Sequence, residues 1–305
     1  MVVPVRDRRE EVLRCLEALL GQDLTAAEVI VMDNGSVDGT AEACEKIAVT
    51  TRVPVRVERR PGAGVGALRN EGARLAGTEV VAFTDSDCRP APGWLRAGAA
   101  TMARDPGLGV LQGQTLPEPG VELGRWPATI SVTQFSGQFE TANLFVRRDA
   151  LLATGGFLPG LGWEDVAGGW GIVHAGWRYG FDATALVHHD VTHPPFVWWL
   201  RRAVVGPYGN AAAAVRREPR LRDHLLWGQV FVSPHSAAVA LAAVGLALAP
   251  ARRRALLLTL PYLVARDPRV LHPTAPRTTA ERIVFDAAVL AGRARGSLRH
   301  RRLVL

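Results

Sequence analysis

Lysine is almost missing from this chain: Lys46 stands alone among 36 Lys and Arg residues. Cysteine is nearly as scarce, with only Cys15, Cys44 and Cys88, far apart. An odd, scattered set supplies neither a disulfide framework nor paired metal-ligand spacing, and it fits a reducing cytosol. No apolar run reaches the roughly 18–20 residues that a membrane-spanning helix needs. Leader-like sequence is absent too: Met1 runs straight into Val2-Val3-Pro4-Val5, an abrupt start that points to a natural first residue slightly upstream. There is no nucleic-acid-binding module and no basic run interleaved with stacking aromatics, so nucleic acid is excluded as a partner. The formal charge of +7 is left to attract anionic substrates or an anionic membrane face. Repeats and low-complexity tracts are also lacking.

What is present is an ordered globular chain of 305 residues, 48% hydrophobic and 21% charged, enough for one large domain or two. Its first hundred residues alternate strand and helix signals. Val2–Val5, Glu28–Met32, Val53–Val57 and Glu79–Thr84 read as strands, and Glu10–Leu20, Asp38–Ala48 and Gly66–Leu75 as the helices between them. That alternation predicts an α/β fold with a mostly parallel sheet flanked by helices. From about Asp105 the pattern loosens. Leu108–Gln112, Asn143–Val146 and Ala185–His188 read as strands and Glu164–Ala175 as a helix. The His193-Pro194-Pro195 break divides residues 1–195 from a helical, Arg-rich region, 196–305. Within the latter, Ser236–Pro250 and Ala255–Ala265 are apolar and separated by Arg252-Arg253-Arg254. They read either as a buried helical pair or as an interfacial pair held by arginine to anionic lipid, a peripheral membrane contact.

Chemistry concentrates at the strand ends. Asp85-Ser86-Asp87 follows the apolar run Val80-Val81-Ala82-Phe83, and carboxylates at i and i+2 on an extended chain point the same way. Alone, such a pair is an ordinary solvated turn. At the carboxyl end of a buried strand it becomes an acidic fork suited to Mg²⁺ or Mn²⁺ held against a diphosphate. Three more strand ends reach the same edge: Arg6-Asp7, Asp33-Asn34-Gly35-Ser36, and a Gly62-x-Gly64-x-Gly66 turn leading to Arg69-Asn70. The glycine spacing is not that of a dinucleotide fingerprint. Further on, Trp163-Glu164-Asp165 opens a helix, where acids commonly cap; beside a metal fork the pair also reads as a general base under an aromatic platform.

Taken in order, Val3-Pro4-Val5, Asp33-Asn34-Gly35-Ser36-Val37-Asp38-Gly39-Thr40, Arg69-Asn70-Glu71-Gly72, Asp85-Ser86-Asp87, Thr141-Ala142-Asn143, Gly155-Gly156-Phe157 and Trp163-Glu164-Asp165 resemble a family 2 glycosyltransferase of GT-A fold across residues 1–195. The stretch from Val187 through Trp198-Trp199-Leu200-Arg201-Arg202 to Tyr208-Gly209 is more loosely similar to actinobacterial glycosyltransferases of mycofactocin systems. The resemblance implies an inverting, metal-dependent transfer of one sugar from a nucleoside diphosphate sugar to an acceptor hydroxyl. It implies a base edge held by Asp33 with Pro4 and Arg6 as its wall, Asn70 on the donor side and Asp85 near the ribose. Asp87, with Asp85, would hold Mg²⁺ or Mn²⁺. Asp165 would be the general base, with Glu164, Trp163 and Asn143 on the acceptor side. His188, or its neighbour His189, would supply a further metal contact. A cytoplasmic protein at the inner membrane face is expected.

The family pattern also departs here. Ala167 and Gly171 stand where relatives carry an Asp and an Arg, and the glycine-rich run Gly168-Gly169-Trp170-Gly171 predicts a mobile or altered acceptor side. The competing reading is a catalytically degenerate relative that binds a nucleotide sugar or a membrane partner. No Gln-x-x-Arg-Trp motif of processive enzymes is present, which favours single addition.

Overall fold

The computed structural model describes residues 1–305 except 136, 159, 161, 226 and 267–277. Internal contacts divide the chain into two units: Met1–Gly160 with Glu164–Pro194, and Leu161–Trp163 with Pro195–Leu305.

The first unit begins with the anticipated alternation: β1 Val2–Val5, α1 Arg9–Leu20, β2 Val29–Asp33, α2 Thr40–Ala48, β3 Val55–Arg59, α3 Val65–Leu75 and β4 Val80–Thr84. Strand β2, Val-Ile-Val-Met-Asp, is buried at every position, as a central parallel strand covered on both faces must be. Helix α1 buries Val12, Cys15, Leu16 and Leu19, one helical stripe laid against the sheet. β1 pairs in parallel with both β2 and β4, and β2 with β3.

Beyond β4 come β5 Cys88–Pro90, α4 Trp94–Arg104, β6 Leu108–Pro117, β7 Asn143–Arg147, α5 Arg148–Ala153, α6 Glu164–His174 and β8 Arg178–His189. They complete an eight-stranded sheet in the order β3-β2-β1-β4-β7-β6-β8-β5, in which β7 runs antiparallel to β4 and β6. The mostly parallel sheet flanked by helices is the expected architecture. β8 is much longer than the short strand anticipated at Ala185–His188, because its first half is mixed in polarity. A register shift opposite Gly113 and Gln114 separates the two halves. Helix α4 turns Trp94, Gly98 and Met102 inward; Trp94 buries its ring completely, and its indole N–H donates to Asn143 Oδ1 at 2.8 Å.

The glycine-rich helix α6 is a close-packing solution. A Cβ on Gly168 would stand 2.7 Å from the Phe157 ring, and one on Gly169 2.3 Å from Phe139. The Trp170 indole N–H donates to the Gly137 carbonyl at 2.9 Å while its ring meets Phe139 edge-on. The mobility expected from composition is replaced by close contact with two aromatic rings.

The second unit is helical: α7 Phe196–Val205, α8 Ala211–Arg217, α9 Leu221–Leu225, α10 Pro234–Leu248, α11 Leu260–Arg266 and α12 Thr278–His300. Ser233 and Ser236 form a reciprocal capping box at the start of α10. Val239, Ala242 and Tyr262 make a small core, and the Tyr262 hydroxyl donates to Asp286 at 2.8 Å. Among the described residues, no helix is long and apolar enough to cross a membrane.

Gly98 tests the packing of α4 on the sheet. A Cβ there would lie 2.1 Å from the end of the Phe145 ring, which is buried and braced by Trp94 at a centroid distance of 5.0 Å. Gly98→Ala is expected to lower the melting temperature by about 3–8 °C, read by circular dichroism.

Candidate active site

The carboxyl ends of β1, β2 and β4 open into a crevice of about 270 Å³ lined by Pro4, Arg6, Asn34, Arg69, Asp85 and Asp87, with Arg8 beside them. This is where parallel sheets offer ligand sites, because the helices that follow the strands leave their N-termini and loops there. Pro4, Arg6, Asp85 and Asp87 are therefore brought together as expected from sequence.

Asp33 is fully buried just beneath. Its carboxylate accepts from the backbone N–H of Gly35 at 3.1 Å and of Ser36 at 3.2 Å, and from the Ser36 hydroxyl. It holds the loop in shape, while the neighbouring Asn34 faces the crevice with its Oδ1 buried and unpartnered among the described residues. Asp7, at a left-handed φ of +48°, ties this loop to the end of β1: its N–H donates to Ser36 Oγ at 2.9 Å and its Oδ1 accepts from Val37 N–H at 2.8 Å. A non-glycine residue in that region of backbone space is held only by such over-determination.

Arg69 on α3 is the electrostatic centre. It is 4% exposed, and its guanidinium donates to Asp85 at 2.7 Å and to Glu164 at 3.1 Å. A single cation thus joins the acidic fork to the first turn of α6. Asp165 follows Glu164 directly. Burial raises the Asp165 carboxyl to about 7, the Glu164 charge adds to this, and Arg69 opposes it. Burial also raises the Glu164 carboxyl, against the pull of Arg69. A carboxyl poised near neutrality can accept a proton at physiological pH. Sequence reasoning had passed over Arg69 in favour of its neighbour; the only signal was its place in the Arg69-Asn70-Glu71-Gly72 run.

The base-edge role expected of Asp33 is not supported, since its carboxylate is spent on its own loop and Asn34 takes its place at the crevice; three further sequence-based assignments change. His188 is not beside the fork. Successive residues of β8 face opposite ways, and it is His189, paired in register with Cys88, whose Nε2 lies 3.7 Å from Asp87 Oδ1. Asn70 is buried and spends its amide on Phe157, donating to its carbonyl and accepting from its N–H at 2.8 Å each. This also explains Gly156, at φ +75°, where a Cβ would lie 2.2 Å from Asn70 Oδ1. Asn143 is fully buried between strands, bonded to Trp94 and to the carbonyls of Gln114 and Ala185, so it bolts the sheet. Trp163, at φ +81°, belongs to the second unit.

The Asp87 environment fits a divalent cation. Asp87, Cys88 and His189 bring potential ligand atoms within 4.8 Å of one another. His189 Nδ1 lies 2.7 Å from the Asp190 carbonyl, which leaves Nε2 as the ring nitrogen that faces the Asp87 carboxylate. Two acceptors facing each other suit an ion between them, and carboxylate with imidazole is a donor set for Mn²⁺ as well as Mg²⁺. Arg8 supplies positive charge to the other Asp87 oxygen.

Sheet order, crevice and acidic fork together define a GT-A-type transferase fold. Residues 1–158 match the family model for glycosyl transferase family 2, and the chain belongs to that family. It is 29% identical over 168 residues to glycosyltransferase AglE of Haloferax volcanii, covering 52% of this chain and 55% of that protein. It is 28% identical over 238 residues to the pre-mycofactocin glycosyltransferase of Mycobacterium tuberculosis, covering 72% and 48%. The chain thus spans about half the length of these curated relatives. Among solved structures it resembles the mannosyltransferase PcManGT from Pyrobaculum calidifontis in complex with GDP-Man and Mn²⁺, with a TM-score of 0.69 at 22% identity over 97% of this chain and 85% of that one. TarS residues 1–349 of S. aureus with UDP-GlcNAc gives 0.54 at 16% identity over 99% and 91%.

Arg69→Gln should cost about 3 kcal/mol or more, since it strands two carboxylates in a poorly solvated site. Without the cation the Glu164 carboxyl, already raised by burial, loses the pull that opposes the rise, so the loss should shrink as pH falls from 8 to 5 and it takes up its proton. Thermal melts of wild type and variant at the two pH values measure this; a pH-independent loss would mean that packing, not charge, is what Arg69 supplies.

Proposed function

We propose that this protein is an inverting, metal-dependent glycosyltransferase that moves one sugar from a nucleoside diphosphate sugar to an acceptor hydroxyl. The observation that carries the reading is the Asp85–Arg69–Glu164 bridge, which fixes the acidic fork relative to Asp165, a carboxyl raised to about 7. Pro4, Arg6 and the Asp33-Asn34 loop form the wall for base and ribose, where the unpartnered Asn34 oxygen can accept from a base N–H. PcManGT and TarS are solved with GDP-Man and UDP-GlcNAc, so a nucleoside diphosphate sugar is the donor class this crevice suits.

Asp87 and His189 would hold Mn²⁺ or Mg²⁺, which when bound neutralises charge on the departing diphosphate. Asp165 takes the proton of the acceptor hydroxyl. The oxygen then attacks the anomeric carbon opposite the leaving group, and the sugar inverts in a single displacement. Arg69 holds Asp85 in place, and moderates the rise in the Asp165 carboxyl so that it is available as a base near neutral pH. Ala167 and Gly171 leave Asp165 without the further charged neighbours of its relatives, so Arg69 is the cation that tunes it. The same pairing of fork and raised acid favours turnover over a degenerate binding role.

Asp165→Asn is expected to lower kcat about 10²–10⁴-fold while the donor Kd stays within about threefold. Wild-type kcat should climb with an acidic limb near pH 7. The folded carboxyl keeps its proton to about 7, whereas in the unfolded chain it ionises near 3.9, so stability declines across that window as pH rises. Asp165→Asn should therefore be the more stable protein at pH 8. A panel of UDP- and GDP-sugars titrated by calorimetry with and without Mn²⁺ checks the other half: metal-dependent binding lost in Asp87→Ala is expected. A donor that binds equally well without metal, or an Asp165→Asn protein with full turnover, would refute the mechanism.

A further inference from the structure

Helix α10 has no polar face. After Ser236 it reads Ala-Ala-Val-Ala-Leu-Ala-Ala-Val-Gly-Leu-Ala-Leu, and no charged side chain appears until Arg252. One flank is packed: Val239 and Ala242 join Tyr262, and a Cβ on Gly245 would lie 2.6 Å from the Ala255 carbonyl. The other flank is open, with Leu241, Val244, Leu246 and Leu248 exposed, Leu246 at 60%. The returning segment Arg253–Thr259 and helix α11 expose Leu256, Leu257, Leu260 and Val264, Leu257 and Val264 at 63% each. A helix that is apolar all round belongs in a core or in lipid, and here half of it is in neither.

Charge identifies the occupant. Residues 195–305 hold 18 arginines against five acidic residues, a formal +13, whereas residues 1–194 carry −6. Arg252, Arg253 and Arg254 are all exposed at the turn of the hairpin. A second copy would bring the same positive surface against itself, which like charge opposes. An anionic bilayer offers both acyl chains for the leucines and phosphates for the arginines. Geometry fixes the orientation. α10 has 15 residues, about 22 Å at 1.5 Å per residue, short of the roughly 30 Å hydrocarbon layer. Insertion tip-first would drag three guanidinium groups into hydrocarbon. Lying in the plane lets them reach the phosphates while the leucines enter the acyl boundary.

We propose that α10, Arg253–Thr259 and α11 form a monotopic anchor lying in the plane of an anionic phospholipid leaflet, with leucine and valine side chains below the headgroups and Arg252–Arg254 at phosphate level. This inference goes beyond the transferase reading and does not depend on it.

The test uses the whole chain with phosphatidylcholine vesicles, pure or containing about 30% phosphatidylglycerol, read by flotation. Binding to the anionic vesicles is expected to be at least about tenfold tighter than to neutral ones and to weaken in high salt. Leu246→Asp with Leu257→Asp, both exposed and so tolerated by the fold, should abolish it. Arg252→Gln, Arg253→Gln and Arg254→Gln together should remove most of the preference for anionic lipid. Circular dichroism establishes that each variant is folded. Wild type that ignores both vesicles, or a double-aspartate variant that floats like wild type, overturns the proposal. So does a concentration-dependent dimer in light scattering that the same aspartates dissolve while vesicles bind neither form.

Discussion

A buried guanidinium between two carboxylates is what the rest of this site depends on. Arg69 is desolvated on helix α3, and burying such a charge is costly unless it is paired and hydrogen-bonded. It is paired twice, with Asp85 after β4 and with Glu164 at the start of α6. Those two acids come from segments nearly eighty residues apart. Burial raises the Glu164 carboxyl and Arg69 opposes that rise, while the buried guanidinium is in turn compensated by both acids. The bridge therefore makes the spacing between fork and helix a consequence of electrostatics. Close packing supports it: Gly168 and Gly169 let α6 approach Phe157 and Phe139, and Asn70, one residue after Arg69, clamps the Phe157 backbone.

The parallel half of the sheet was legible because its signals are local. Four strands, each ended by polar residues and joined by three amphipathic helices, leave few topologies, and the chain adopts the expected one. The two acids were legible as polar residues ending β4, but they reach the crevice from a turn, closed by the Cys88 N–H donating to the Asp85 carbonyl at 3.1 Å, and not from the extended strand the i, i+2 spacing suggests. What escaped were the features that need register. Whether His188 or His189 faces Asp87 depends on which residue of β8 pairs with Cys88, and two adjacent histidines give no hint of parity. Asn143 stands in a run that resembles the family pattern, yet its amide is spent on Trp94 and two strand carbonyls, contacts set by the crossing of α4, β6 and β8. Arg69 looked like one more arginine in an arginine-rich chain, and only its burial sets it apart.

The formal charge of +7 is misleading as a guide to the crevice, because it is an average over two opposite halves. The part of the chain that carries the acidic fork, residues 1–194, is itself net negative at −6, so the charge close to the crevice does not have the sign of the whole chain. Attraction must come from groups at the crevice itself. Arg6 is largely exposed there, while Arg8 is already engaged by Asp87, and Arg69 by Asp85 and Glu164. A diphosphate entering among these groups meets carboxylates whose nearby cations are mostly committed. The proposed divalent cation would add positive charge at the point where Asp87 and His189 converge. On the proposed mechanism, that cation would make the crevice attractive to a nucleoside diphosphate and would neutralise it on departure.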